Sequence, residues 1–542
     1  MKKAKRSAKK ISKPRSKLRK IAPRIKKNKK IETNKPSLQK ETILILDFGS
    51  QYTQLIARRI RESHVYSQIV PYSISIEKIK EIKPKGIILS GGPASVYKEK
   101  APLPASQIFK LGIPILGICY GMQVIAQEFG VKVKTTDRRE FGKTELFVDD
   151  PKDIFFRLPS NFTCWMSHGD SITKLPSGFI SLGHTLNTSF TAIANRSKRI
   201  YGVQFHPEVA HTTKGNEILS NFLFQVCSCR GNWLIKSFIK DSIENIRNTV
   251  GNKSVVLGLS GGVDSSVAAS LLYKAIKKNL RCIFINNGLL RDGEAEEVKR
   301  VFKDELKMNL DYVDAENRFL KRLEGIIDPE EKRKIIGEEF VRVFEERARK
   351  FKKASFLAQG TLYPDVIEST GIKTHHNVGG IPKDLKLQLI EPLRDLFKDE
   401  VREIGKALGL ATEIINRQPF PGPGLAVRII GEVTPERLRL LRHADKKVNE
   451  ILKSSQVDTP IWQSFAVLLP IKTVGVMGDD RTYENVIAIR CVSSSDGMTA
   501  DWVKLPYEIL EKISNRIVNE VKGINRVVYD VSTKPPATIE WE

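Results

Sequence analysis

Three side chains in the first half of the chain could together cleave an amide. Cys119 stands in Gly117-Ile118-Cys119-Tyr120-Gly121, after an apolar run beginning at Pro114 and before a helical run over 122–129. Two glycines around a nucleophile between strand and helix permit the strained turn that lifts a side chain above a sheet, and a helix start favours the thiolate. A thiolate needs a base. His206 lies 87 residues downstream in Gly202-Val203-Gln204-Phe205-His206-Pro207-Glu208. Glu208, two positions on, can accept from the imidazole and fix its tautomer, completing a Cys-His-Glu triad. Gly91-Gly92-Pro93 follows a strand ending at Ser90, and the Gly92 amide beside that of Tyr120 would make an oxyanion hole. His168, in Met166-Ser167-His168-Gly169-Asp170, is a rival base, and the choice falls on His206, which stands in the Gln-Phe-His-Pro-Glu run.

A second chemistry begins at Ser260-Gly261-Gly262-Val263-Asp264-Ser265-Ser266, after the apolar run Val255-Val256-Leu257-Gly258-Leu259 and before a helical run over 267–275. A strand that breaks into two glycines and small hydroxyls at a helix start leaves several backbone N–H groups bare, which is a phosphate cradle. There is no G-x-x-x-x-G-K-[ST] pattern, so it is not the Walker loop. Cys227 and Cys229 have no Cys or His set nearby, and packing against a terminal helix is expected of them rather than zinc binding.

The elements that must carry these groups alternate. Strands are expected at Ile43-Leu44-Ile45-Leu46, Gly86-Ile87-Ile88-Leu89 and 114–118, with helices or loops between, and again at 255–259, 282–286 and 357–361. That alternation predicts two consecutive α/β domains with mainly parallel sheets and ligands at the strand C-termini. A Pro/Gly-rich hinge at 418–424 then leads to helices over 435–452 and 505–521 and strands over 466–469 and 486–491, a smaller α+β domain. The expected divisions are a tail over 1–40, a cysteine-bearing domain over 42–232, a cradle-bearing domain over 233–417 and a C-terminal domain over 418–542.

The string S-G-G-V-D-S resembles the loop of the ATP pyrophosphatases, which split ATP into AMP and pyrophosphate and adenylate a substrate oxygen. D-F-G-S-Q-Y (47–52), S-G-G-P (90–93), G-I-C-Y-G (117–121) and Q-F-H-P-E (204–208) together resemble a class I glutamine amidotransferase. That resemblance implies a glutamyl thioester on Cys119 and the release of ammonia, which must reach an ATP-activated acceptor.

From about Thr42 to Glu542 the chain is similar to the fused amidotransferases that aminate xanthosine monophosphate (XMP) at C2. The similarity runs through Glu330–Gly337, Tyr363-Pro364-Asp365-Val366-Ile367-Glu368, His375–Gly380 and Leu396–Arg402. It implies glutamine, ATP and XMP as substrates, and Mg2+ bridging the phosphates with Asp264 as its partner. It implies further that Arg333, Gln463, Asp479, Lys534 and Glu540 hold XMP and that the C-terminal domain pairs two subunits, while Lys383, in the Gly-Gly-Ile-Pro-Lys loop, is open to two readings, closure over pyrophosphate or a solvated loop lysine. Two positions depart from the family pattern: Asn286 where Asp is usual, and Gln418 where His is usual. Nicotinate adenine dinucleotide is a rival acceptor for the same two modules, and the run Lys534-Pro-Pro-Ala-Thr-Ile-Glu540 argues for XMP.

The 542 residues are 41% apolar and 28% charged, ordinary values for a globular chain of about three domains. No apolar run approaches bilayer length, so no membrane partner is expected. Six scattered cysteines suit a reducing cytoplasm. Of the net charge of +28, residues 1–40 carry +17, leaving +11 for the rest. That tail has too few apolar residues to fold and is expected to be disordered. A solvated extension, an arm for nucleic acid or the ribosome, and a transit sequence remain open for it. The reading of the whole chain as a nucleic-acid binder is opposed by intact Cys119, His206 and Asp264.

Overall fold

The computed structural model describes residues 40–542 except 94, 132, 352, 371–386, 479, 495, 496 and 498. The expectations for the tail before Lys40, for His375–Gly380, for Lys383 and for Asp479 therefore lie outside the described residues.

Nine strands form the first sheet: β1 (Thr42–Asp47), β2 (Tyr66–Pro71), β3 (Gly86–Leu89), β4 (Ile115–Ile118), β5 (Val133–Val148), β6 (Asn161–Ile172), β7 (Ile180–His184), β8 (Ala192–Asn195) and β9 (Ile200–Val203). Their order is β2-β1-β3-β4-β9-β8-β7-β5-β6. The half from β2 to β9 is parallel, and the half from β9 to β6 is antiparallel. A mainly parallel sheet is thus correct for only part of this domain. Between β5 and β9 the chain returns by short connections rather than crossover helices, and such connections join antiparallel strands. Ile43, Leu44, Ile45 and Leu46 are all fully buried, as expected of a parallel strand covered on both faces.

The second sheet is parallel throughout, in the order β12-β11-β10-β13-β14. Its strands are β10 (Ser254–Gly258), β11 (Leu280–Asn286), β12 (Leu310–Asp314), β13 (Ala354–Ala358) and β14 (Gln388–Ile390). The third has antiparallel β15 (Gln463–Met477), β16 (Asp480–Ser493) and β17 (Asp501–Trp502), with β18 (Ile524–Tyr529) parallel to β16. Helices Pro435–Ser454 and Tyr507–Glu520 accompany it, which makes the expected α+β unit.

The cores do not respect the sequence divisions. One apolar cluster runs from Val256 and Ile283 of the second sheet to Leu441, Ile487 and Ile513 of the third. The segment expected to be a hinge is fixed within it: Leu425 N–H donates to Leu289 O at 2.8 Å, and a Cβ on Gly424 would stand 2.3 Å from that oxygen. Likewise Tyr363 and Phe397 pack into the core of the cysteine-bearing domain.

Candidate active sites

Cys119 sits between β4 and the helix Tyr120–Glu128 with φ +52°, a left-handed conformation that costs energy for a side-chain-bearing residue. The turn is held from both sides: Cys119 N–H donates to Val203 O at 2.7 Å and Gly121 N–H to Ser90 O at 3.1 Å. A Cβ on Gly117 would lie 2.5 Å from Gly121 O, and one on Gly121 would lie 2.3 Å from Leu89 O. Both flanking glycines are therefore required by close backbone approach, as the sequence suggested.

His206 Nδ1 lies 2.7 Å from Glu208 Oε1, and both residues are buried. The segment is anchored by His206 N–H on Trp165 O at 3.0 Å and by Thr212 Oγ1 donating to His206 O at 2.6 Å. Burial opposes charge on the ring, but the Glu208 carboxylate and the Cys119 sulfur, which is within hydrogen-bonding reach, hold His206 well above its ordinary value. Gln204 Nε2 also reaches Cys119 Sγ, at 3.7 Å. This contact was not foreseen, although Gln204 lies inside the quoted motif. A Cβ on Gly92 would come within 3.4 Å of the Tyr120 ring, so the two residues adjoin. Among the described residues neither the Gly92 nor the Tyr120 amide donates to another group of the fold.

The rival His168 is engaged elsewhere. Its Nδ1 lies 3.0 Å from Asp170 O and its Nε2 3.3 Å from Glu140 Oε2. The carboxylate beside the ring comes from the neighbouring strand, where Glu140 stands opposite His168 in the β5–β6 register. Burial works against the Glu140 anion, but the nearby His168 ring and hydrogen bonds from Thr188 and Thr185 keep its carboxyl below the usual range. Cys227 and Cys229 are buried beside the turn Phe222–Val226, as expected.

The second site forms where β10 gives way to the helix Val263–Ile276. Gly261 has φ +80°, a conformation natural to glycine. Hydroxyls stitch the loop: Ser266 Oγ and Ser265 Oγ donate to Gly262 O at 2.7 and 3.1 Å, and Ser260 Oγ lies 3.0 Å from Ser265 Oγ. A cavity of about 310 Å3 opens over it, lined by Ser260, Gly262, Val263, Asp264, Lys398 and Phe420 among others. Lys398 Nζ lies 2.5 Å from Asp264 Oδ2, while Asp264 Oδ1 is buried with no partner among the described residues. Arg417 clamps the loop from outside, donating to Gly261 O at 2.8 Å while paired with Glu297 at 2.5 Å. Neither Lys398 nor Arg417 was singled out in the sequence, because a lysine or arginine at a helix end usually faces water. Of the two departures, Asn286 Oδ1 accepts Gly288 N–H at 3.1 Å, and Gln418 Oε1 accepts Ser464 N–H at 3.0 Å.

The residues expected to hold XMP are partly gathered. Gln463 Nε2 donates to Glu540 Oε1 at 2.7 Å, and Glu540 is gripped by fully buried Arg428 at 2.8 and 3.0 Å. Arg333 donates to the backbone oxygen of Glu542, whose side chain meets buried Lys332 Nζ at 2.5 Å. Lys534 Nζ instead donates to Gly497 O at 2.8 Å. Arg490 fastens the terminal segment by donating to Ser532 O at 2.6 Å and Thr538 O at 3.1 Å. Arg428, Lys332 and Arg490 were missed, since only tertiary packing buries them.

The class-I glutamine amidotransferase family matches residues 44–226, the NAD synthase family residues 235–423, and the GMP synthase C-terminal domain family residues 450–541. The chain is an amidotransferase, a glutaminase fold joined to an ATP-using ligase fold. Its similar proteins include the glutamine-hydrolyzing GMP synthase of Brachyspira hyodysenteriae, 59% identical over 93% of this chain and 99% of that one. Those of Caldicellulosiruptor saccharolyticus (57%, covering 93% and 100%) and Prochlorococcus marinus (56%, covering 92% and 98%) are similar over the same extent. The chain belongs to the glutamine-hydrolysing GMP synthases. Among the described residues no helix is long and apolar enough to cross a membrane.

Proposed function

We propose that this chain makes GMP by aminating XMP at C2, using ammonia released from glutamine and the free energy of splitting ATP to AMP and pyrophosphate. The observation that carries the reading is likeness to GMP synthases over 93% of the chain, through all three parts.

In the first centre, Cys119 sulfur bonds to the carboxamide carbon of glutamine, and the oxyanion that forms is met by the amides of Gly92 and Tyr120. His206, steadied by Glu208, gives its proton to the departing nitrogen, and ammonia leaves. Water then cleaves the thioester, its proton passing to His206, and glutamate is released. In the second centre, Ser260 to Ser266 cradle the phosphates of ATP. The 2-oxygen of XMP, having lost the ring proton, donates an electron pair to the α-phosphorus, and pyrophosphate departs with the pair from the broken bond. Ammonia next adds at C2, AMP leaves, and the extra proton is lost to solvent.

Asp264 fits a role in holding Mg2+: one of its oxygens has no partner in the fold, and magnesium is commonly bound by one or two carboxylates together with substrate phosphates. When bound, the ion would neutralise phosphate charge. Gln463 and Glu540 are read as contacts to the base, and Arg333 and Lys534 to the phosphate, with Asp479 proposed from resemblance alone and Lys383 from its place in a Gly-Gly-Ile-Pro-Lys loop. The proposed boundaries are 42–232, 233–417 and 418–542. A homodimer through the last part is supported by apolar Val474, Val476 and Tyr483, which stand exposed on the β15–β16 hairpin. A cytoplasmic location and a nucleic-acid or ribosome contact for the tail complete the reading.

The test is to supply ATP, magnesium, glutamine and XMP and to look for GMP, AMP, pyrophosphate and glutamate in equal amounts. Absence of GMP from a folded, ATP-binding protein would refute the reading.

A further inference from the structure

Buried hydrogen-bond donors without partners are rare in folded proteins, because each has given up water and gained nothing. Among the described residues, three arginines at the join of the second and third parts carry such donors: Nε and Nη2 of Arg291, Nη1 of Arg428, and Nε of Arg333. Two of these side chains share one ring. The guanidinium carbons of Arg291 and Arg428 lie 4.9 and 5.1 Å from the centre of Phe420, and Phe420 lines the cavity over the Ser260 loop.

Neither arginine is fully used by the fold. Arg291 Nε is 3.3 Å from Asp445 Oδ2, but that carboxylate already accepts Asn449 Nδ2 at 3.0 Å and Ala466 N–H at 3.1 Å. Arg428 spends Nε and Nη2 on Glu540 and keeps Nη1. Two guanidinium groups stacked on one ring, each with N–H donors left over beside its own carboxylate, are placed to share a further acceptor. Burial weakens the hold of Arg291 on its proton and the neighbouring Arg428 adds to this, while the carboxylates of Asp445, Glu294 and Glu540 oppose it without reversing it.

We propose that Arg291, with the free Nη1 of Arg428, contacts the anionic 2-oxygen of the xanthine base. This deepens the function proposed above and rests on it. The location selects the base rather than the 5′-phosphate, since Arg428 holds Glu540 and Glu540 holds Gln463, the pair read as base contacts. The reacting oxygen must also approach the cavity that Phe420 borders. The chemistry selects an anion: xanthine is a weak acid, and its deprotonated 2-oxygen is the better nucleophile toward phosphorus but costly to bury unpaired. A planar fork of N–H donors offsets that cost. A purine nucleotide lacking the 2-oxygen leaves these donors unmatched, so the pair also selects the substrate.

The test uses the full chain with ammonium as nitrogen donor, which takes glutamine hydrolysis out of the measurement. Failure of the unmodified protein to form GMP would sink the underlying function and leave Arg291 aside. Given an active parent, Arg291→Gln is expected to raise KM for XMP about tenfold or more, as for a lost contact to a charged group, while KM for ATP stays within about twofold. Inhibition by inosine monophosphate, which has the phosphate but no 2-oxygen, is expected to be unchanged. Arg291→Lys, which keeps the charge without the fork, should fall between. An unchanged KM for XMP overturns the proposal, as does an equal weakening of inosine monophosphate, which would place Arg291 at the phosphate. Should Arg291→Gln not fold, Arg291→Lys decides by the same two readings.

Discussion

Lys398 Nζ lies 2.5 Å from Asp264 Oδ2, joining the first turn of the helix Lys398–Leu408 to the loop that starts the helix Val263–Ile276. A cation at the rim of a phosphate cradle is placed to meet the nucleotide. Lys398→Ala is expected to raise KM for ATP about tenfold in ammonia-driven synthesis, a typical loss for one charged phosphate contact. Steady-state kinetics at varied ATP would show it, and an unchanged KM would remove Lys398 from the site.

Two residues further along the same turn, Glu400 faces the other module. Arg61 Nη1 lies 3.2 Å from its carboxylate and also donates to Asp395 O at 2.9 Å, and Trp233 Nε1 donates to Glu400 at 2.5 Å. The guanidinium is stacked 4.2 Å from Tyr66 and 4.7 Å from Trp233. Arg61→Ala leaves a buried carboxylate without its cation, which typically costs about 3–5 kcal/mol. Glutamine-driven synthesis should suffer more than ammonia-driven synthesis, because the damage lies between the modules. Equal losses in the two assays would count against this.

Cys119→Ala should abolish glutamine-driven GMP formation and leave ammonia-driven formation intact. Loss of both in a folded variant would contradict the division of labour between the two centres.

His206 carries a pH signature. Its folded value is raised well above 6.5, so the stability it contributes is complete below about pH 6.5, the unfolded imidazole value, and fades as pH rises through the folded value. Glu208→Gln removes the main charge that raises it, so its penalty should be largest on the acid side and shrink as pH rises. Urea unfolding across that window measures the difference, and a penalty independent of pH would exclude the pairing as its source.

Gly121→Ala would place a methyl group 2.3 Å from Leu89 O. Overpacking of this kind typically costs about 1–3 kcal/mol. Thermal unfolding should show that loss, with glutamine hydrolysis reduced before ammonia-driven synthesis. A variant of full stability and full glutaminase activity would show the turn to be looser than described.

What could be read from the chain alone was local. The elbow around Cys119 and the loop at Ser260 each depend on neighbours within a few positions, and His206 reaches Glu208 over two residues, so type and spacing sufficed. Glu140 could not be found that way, because it meets His168 only through the register of β5 with β6. Arg428, Lys332 and Arg490 looked like ordinary charged residues, and their burial follows from the terminal segment folding back over them. The antiparallel half of the first sheet was missed for a related reason: strand direction is set by the connections, and those between β5 and β9 carry no strong helical pattern.

Trp233 lies at the seam of the two family matches, almost wholly covered, with its indole nitrogen spent on Glu400 and its ring against Tyr66. A scission there would not yield two self-sufficient proteins. One fragment would present a bare arginine among greasy rings and the other a stranded acid, a recipe for clumping. Anyone wishing to harness the synthetase half with a foreign ammonia supply should recast these few positions as hydrophilic before cutting.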